Sequence, residues 1–197
     1  MLPREYQEVE YIQNSGPVYI QTNFSGNIYV EGVAQCTDIS GEVSRILFGQ
    51  SAGGARWFGT TNGVIKSGSN SFSVNPLNKF RFSMSWNFNG LVCSNVQTVN
   101  GETITRDAFT SSQPVENLSL LAAKSNGVWG NYAVAKLWPI HIYSDTNKTN
   151  VIGNLVPCYR KSDNRVGFYD KVNDVFYTYS GSGTMTKGPN ITYGNIL

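Results

Sequence analysis

Hydrophobic and polar positions alternate along this chain with the two-residue period of half-buried β-strands. Between residues 27 and 36, Ile28, Val30, Ala34 and Cys36 fall on one face, and Tyr29, Glu31 and Gln35 on the other. Over residues 80–86 the alternation is cleaner, with Phe80, Phe82, Met84 and Trp86 set against Arg81, Ser83 and Ser85. Residues 118–123 and 132–143 continue the theme. Pro139 interrupts the second of these runs; it has no N–H to give to a ladder, so an edge, a bulge or a bend is predicted there. No 11-residue window carries a helical stripe, and helix is expected only as isolated turns.

Turn signals fall between the runs. Asn62-Gly63, Asn89-Gly90, Asn100-Gly101 and Asn126-Gly127 are Asn-Gly pairs, which suit tight hairpins because Asn tolerates the left-handed region and Gly enters it freely. Residues 36–44 and 108–117 read as loops, and the Gly-rich residues 51–55 as a hairpin turn without the Lys-Ser/Thr of a phosphate loop. Many short strands with regular turns predict an all-β sandwich or barrel. A length of 197 residues suits one domain, placed at 1–190, with 191–197 as a C-terminal extension.

Composition narrows the function. Only 14% of residues are charged, against about 25% in a typical soluble domain. Asn, Ser and Thr fill the polar positions, and 13% of residues are aromatic. Neutral hydrogen-bonding groups beside aromatic faces suit sugar recognition. The net charge of +2 comes without a basic stripe, so nucleic acid is not an expected partner. The densest basic group, Arg160, Lys161 and Arg165, is broken by Asp163 and reads as a solvated turn. The N-terminus carries no signal-peptide pattern, and no apolar run reaches the roughly 18 residues of a membrane span. Cys36, Cys93 and Cys158 form no C-x-x-C motif, and Cys36 and Cys93 sit in apolar strand patterns as small buried residues. A disulfide between two of the three stays open.

Catalytic chemistry finds little support. Glu8 and Glu10 share a strand face without a third carboxylate, and Asp170 and Asp174 flank a turn, so no glycosidase-like carboxylate pair is assigned. His141 is the one histidine. A nucleophile–histidine site would depend on it entirely. In an apolar strand after Pro139, however, it reads as a packed or rim histidine rather than a general base, and one His with three scattered Cys makes no zinc site. The chain is therefore read as a non-enzyme with no catalytic and no metal-ligating residue. The candidate glycan contacts are Trp57 and Phe58, after the Gly-rich turn, and Asn126, Trp129 and Tyr132, around the fourth Asn-Gly pair. The competing reading places these aromatics in the core or in a subunit contact.

Three stretches carry a family resemblance. The chain opens with Leu2-Pro3-Arg4-Glu5-Tyr6-Gln7-Glu8-Val9-Glu10-Tyr11-Ile12. Its middle orders a strand ending in Trp86, the hairpin Val99-Asn100-Gly101-Glu102, a Leu118-Ser119-Leu120-Leu121-Ala122-Ala123 strand and a strand from Val134 to His141-Ile142-Tyr143. It closes with Leu155-Val156-Pro157-Cys158-Tyr159-Arg160, Val166-Gly167-Phe168-Tyr169-Asp170, Val175-Phe176-Tyr177, Gly181-Ser182-Gly183-Thr184 and Lys187-Gly188-Pro189. Together these resemble phage- and prophage-encoded virion modules of the laminin-G and concanavalin-A-like lectin sandwich family of gut bacteriophages.

The resemblance implies a concanavalin-A-like, laminin-G-like antiparallel β-sandwich of jelly-roll type. It implies a virion surface protein, extracellular once released: a head or tail fibre, decoration or receptor-binding component. Its expected partners are other virion proteins, further copies of itself in a homo-oligomer such as a trimer, and host-surface or mucus glycans. The alternative is a purely structural virion protein that attaches to capsid or tail without binding sugar. Family members often hold one rim Ca2+, for which Asp38, Asp107, Asn126 and Asp145 lie in suitable loops; no EF-hand spacing accompanies them, and no cofactor is assigned. The closing segment is expected to be structural, a hairpin in which Asp170 accepts from backbone N–H groups of its turn.

Overall fold

A computed structural model describes residues 1–40, 44–50, 56–67, 70–90, 92–110, 114–125 and 127–193, and among them the regular structure is entirely β, with no helix. The first strands are β1 (Tyr6–Glu8), β2 (Ile12–Ser15), β3 (Val18–Gln21), β4 (Tyr29–Asp38), β5 (Arg45–Gly49), β6 (Trp57–Thr61) and β7 (Val64–Ser67). Then come β8 (Asn70–Ser71), β9 (Phe80–Asn89), β10 (Val92–Val99), β11 (Glu102–Thr110), β12 (Ser119–Leu120), β13 (Ala123–Ser125) and β14 (Val128–Gly130). The last are β15 (Val134–Tyr143), β16 (Val151–Arg160), β17 (Arg165–Asp170), β18 (Val175–Thr178), β19 (Ser180–Gly181) and β20 (Thr184–Lys187).

These strands form two antiparallel sheets in a sandwich-like arrangement. The larger runs β11-β10-β9-β4-β15-β16-β17-β18, with β1 added on β16 and β2 joining β15 to β20. The smaller runs β19-β3-β12-β5-β6-β7-β8, and β13 and β14 make a separate hairpin. Both alternating segments face as their pattern predicts. Ile28, Val30, Ala34 and Cys36 are buried, as are Phe80, Phe82, Met84 and Trp86. They meet the inner face of the smaller sheet, where Phe48 lies 4.4 Å from Phe82 and 4.8 Å from Phe58, ring centre to ring centre. A fully buried Phe, Leu or Ile contributes about 1.5–3 kcal/mol relative to an exposed one, and one continuous cluster of them joins the two sheets.

Pro139 resolves as a bulge inside the sheet. β15 lies between β4 and β16, and its register against β4 slips by one residue between Leu137 and Ile140. The slip is also where β15 changes neighbour: Lys136 and Leu137 pair with β2, and Ile140 onward pairs with β16. The missing N–H of Pro139 therefore falls where the ladder is already broken.

Two Asn-Gly pairs make two-residue hairpins with both central residues at positive φ, the geometry that matches strand twist. They are Asn62 (φ 51) and Gly63 (φ 72) between β6 and β7, and Asn100 (φ 48) and Gly101 (φ 93) between β10 and β11. Two of the expected loops are shorter than the composition suggests, because β4 runs on to Asp38 and β11 to Thr110. The Gly-rich residues 51–55 lie outside the described residues.

The closing segment folds as the meander β16-β17-β18. Asp170 is fully buried in its turn, accepting from the backbone N–H of Asn154 and of Val172 at 3.0 Å each and from the Asn173 amide at 2.6 Å. Residues 191–193 return to β1: the Ile191 N–H donates to the Glu8 carbonyl at 3.0 Å, and the Tyr193 hydroxyl donates to the Glu8 carboxylate at 2.5 Å. All three cysteines are free and buried. Burial pushes the Cys36 and Cys158 thiols up to about 12 and the Cys93 thiol up to about 11.

Candidate ligand-binding site

The period of the strand separates Trp57 from Phe58. Neighbouring residues on β6 point to opposite faces of the sheet. Phe58 points inward, is 0% exposed and lies in the core among Phe48, Phe72, Phe80 and Phe82, so it offers no surface to a ligand. Trp57 points the other way but is also buried, in a small cluster with Ile46 and Ala123 apart from the main core. Ala123 belongs to the β13–β14 hairpin, which lies across this outer face. Both aromatics after the Gly-rich turn are thus packing residues.

Trp129 anchors the other end of that hairpin. Its ring stacks on Tyr19 of β3 with centres 3.9 Å apart and planes 15° from parallel, and both residues are half-buried. The Lys124 ammonium lies 5.9 Å from the Trp129 ring and 3.6 Å from the Glu116 carboxylate. Trp129 therefore has one face committed to Tyr19. Asn126, the remaining member of this loop, lies outside the described residues.

Tyr132 is placed differently. It is half-buried and lines a groove of about 610 Å³ with Ser15, Gly16, Pro17, Asp38, Ser44, Arg45, Asn131 and Val134. The backbone beneath it is pinned: the Ile46 N–H donates to the Asn131 carbonyl at 2.7 Å, Ala133 donates to Leu121 at 2.8 Å, and Tyr132 makes an isolated parallel bridge with Ile46. Asn131 turns the chain at φ 55, a conformation Asn tolerates better than most residues.

Asp38 is the fixed acceptor at the groove wall. It accepts from the Ser40 backbone N–H at 2.8 Å and pairs with Arg45 at 3.1 Å, while Arg45 also donates to the Ser40 carbonyl at 2.6 Å. Hydrogen bonds from Ser40, with the Arg45 charge beside them, hold its carboxyl below the usual carboxylate range. An ionised carboxylate with lone pairs left over is a strong acceptor for hydroxyl groups. The Ser15 hydroxyl shares a hydrogen bond with Thr184 at 2.6 Å and the Ser44 hydroxyl with Thr61 at 3.0 Å, which orients both at the groove rim.

Of the four candidate contacts among the described residues, Tyr132 is the one that lines this open groove. Sequence reasoning missed its neighbours Pro17, Asp38, Arg45 and Asn131 as a group, because four separate segments supply them. Other candidate residues have local partners. Glu8 accepts from Tyr193 and Glu10 from the Trp138 indole at 3.2 Å. His141 is half-buried on β15, 6.5 Å from the Tyr143 ring. Among the residues named for calcium, Asp38 is paired with Arg45, Asp107 is exposed on β11, and Asp145 accepts from the Thr149 and Asn150 backbone and the Thr149 hydroxyl. No cluster of three or more His, Cys, Asp or Glu side chains suited to a metal ion occurs among the described residues.

No family model matches the sequence, and no curated protein matches it.

Proposed function

We propose that this chain is a non-catalytic glycan-recognition module of a bacteriophage virion surface, a fibre, decoration or receptor-binding component. Its sandwich would be of the laminin-G-like, concanavalin-A-like jelly-roll type. The observation that carries the reading is the Tyr132 groove. Its volume falls within the roughly 300–1,000 Å³ of small-ligand sites and would admit one or two sugar rings. An aromatic platform, a fixed ionised acceptor and neutral polar groups line it. In this reading a pyranose lays a C–H face on Tyr132 and donates hydroxyl hydrogens to Asp38, and Asn131 adds a paired donor and acceptor. The low charge of the chain and its resemblance to virion modules support the same reading. A groove this open binds weakly, and a homo-oligomer, a trimer for example, would raise affinity by presenting several grooves to one surface.

Titration calorimetry with host-surface and mucus polysaccharides tests it. Tyr132→Ala and Asp38→Ala are expected to weaken binding at least tenfold, about 1.4 kcal/mol each, with unchanged circular dichroism. Phe58→Leu should leave affinity unaltered, because that side chain never reaches the groove. An intact oligomer that binds no host glycan would overturn the sugar reading and favour a purely structural virion protein that attaches to capsid or tail.

A further inference from the structure

The larger sheet ends in two different ways. At one edge β18 has four residues, and its chain passes directly into β19 of the smaller sheet. At the other edge β11 has nine residues, and no described strand pairs with its outer side. An edge of this kind presents a row of backbone N–H and C=O groups that another strand can take up.

Register says which groups those are. The turn at Asn100 and Gly101 is closed by Val99 and Glu102, and the pairing continues as Thr98 with Thr103, Gln97 with Ile104, Val96 with Thr105 and Asn95 with Arg106. A two-residue hairpin is closed by a hydrogen-bonded pair, and such pairs alternate along an antiparallel ladder. Glu102, Ile104 and Arg106 therefore turn their backbone groups toward β10, and Thr103 and Thr105 direct theirs outward. Beyond Arg106 the strand bulges, with Asp107 and Ala108 both set against Ser94, which limits the regular edge to residues 102–106.

The charges on this segment complement a copy of itself. Glu102 and Arg106 share a face, set across from the buried residues Val99 and Asn95. They lie about 13 Å apart along one strand, and Arg106 makes no ion pair with a carboxylate among the described residues. Glu102 is exposed and accepts from the Ser73 backbone N–H at 3.0 Å through one of its two oxygens. A two-fold axis normal to the sheet at Ile104 brings two β11 strands together antiparallel. It pairs Thr103 with Thr105 of the other copy through their outward backbone groups. It also places each Glu102 across from the other copy's Arg106, where opposite charges attract. Such an axis keeps every side chain on its own face, so only axes centred on a residue compete. Centring on Thr103 or Thr105 instead loses both ion pairs and sets Ile104 against Glu102 or Arg106.

We propose that β11 is a seam between two copies of this chain, which join edge to edge into one continuous antiparallel sheet centred on Ile104 and closed by two reciprocal Glu102–Arg106 ion pairs. The seam shares no residue with the Tyr132 groove, and its test involves no sugar, so it stands or falls apart from the glycan reading.

The test is sedimentation velocity of the intact protein over a concentration series, without ligand. The wild type is expected to pass from monomer to dimer as concentration rises. Glu102→Arg and Arg106→Glu each set like charges across the seam at two places, and each should raise the dimer Kd by about tenfold or more. The double swap of Glu102→Arg with Arg106→Glu should restore it. Thr105→Pro removes an outward N–H that the β10 ladder does not use. It should abolish the dimer while circular dichroism and Tm stay close to wild type, and it carries the test should a charge variant fold poorly. A wild type that stays monomeric throughout, a dimer that Thr105→Pro leaves intact, or a folded double swap that fails to recover what the single variants lose overturns the proposal.

Discussion

Removing the Asp170 carboxylate should unlock the closing meander of the larger sheet, and the geometry says by how much. Its Oδ1 receives both backbone N–H groups, from Asn154 and Val172, while its Oδ2 receives only the Asn173 amide. Asp170→Ala loses all three bonds. Val172 is exposed and its N–H can turn to water, but Asn154 lies within β16 and is half-buried. With about 1 kcal/mol for each resolvated group and about 1–3 for the donor left enclosed, the loss is about 3–5 kcal/mol. At about 2–4 °C per kcal/mol for a domain of this size, Tm falls by roughly 10 °C. Asp170→Asn is the control. Its one carbonyl oxygen can keep both backbone bonds, and only the contact with Asn173 becomes donor against donor, so the cost is about 1–2 kcal/mol. Asn173 cannot flip to repair this freely, because the same amide also donates to the Ile152 carbonyl at 2.8 Å. Urea unfolding of the two variants against wild type separates these values. Equal losses in both would mean that charge, not the split of acceptors between the two oxygens, holds the turn. A loss below about 0.5 kcal/mol in Asp170→Ala would refute the reasoning altogether.

Two further outcomes follow from titratable groups. The three thiols are buried with their pKa values raised to about 11–12, so a thiol-exchange reagent at pH 8 should label none of them in native protein and all of them in denaturant; prompt native labelling at any one would contradict its placement. Hydrogen bonds from Arg160 and from the Arg165 backbone hold the exposed Asp163 carboxyl down at about 2, below its unfolded value of about 3.9. A depressed carboxylate stabilises above its unfolded pKa and loses that contribution as pH falls through the folded one. Chemical denaturation across pH 5 to 2 should therefore show an acid limb between about pH 4 and 2 that shrinks in Arg160→Gln and at high salt, and identical limbs in variant and wild type would remove Asp163 as its source.

The architecture was legible where side-chain chemistry and strand period agree. The alternation over residues 80–86 names the buried face of β9, and two Asn-Gly pairs name hairpins whose φ values require those residues. Pro139 was legible as an interruption but not as a particular kind. A bulge, an edge and a bend all spare the missing N–H, and only the exchange of β2 for β16 beside β15 selects the bulge. The loop at 36–44 was drawn too long because Thr37 and Asp38, polar and turn-prone, sit in the last turnless positions of β4. Cross-strand pairing holds them extended against their local preference.

The binding groove was less legible, for a reason the aromatic residues make plain. Trp57 and Phe58 look like one feature in the sequence, yet a strand turns neighbours apart, and both sides of the smaller sheet are covered at this point: Phe58 by the larger sheet, Trp57 by the β13–β14 hairpin. An aromatic beside a turn is therefore evidence of a surface site only if nothing folds back over it. For Trp57 the cover is Ala123, more than sixty residues away in sequence. The same long reach builds the groove. Asp38 is a loop acid until Arg45 and Ser40 fix it, and Tyr132 is one aromatic of many until Pro17, Asn131 and Asp38 stand around it.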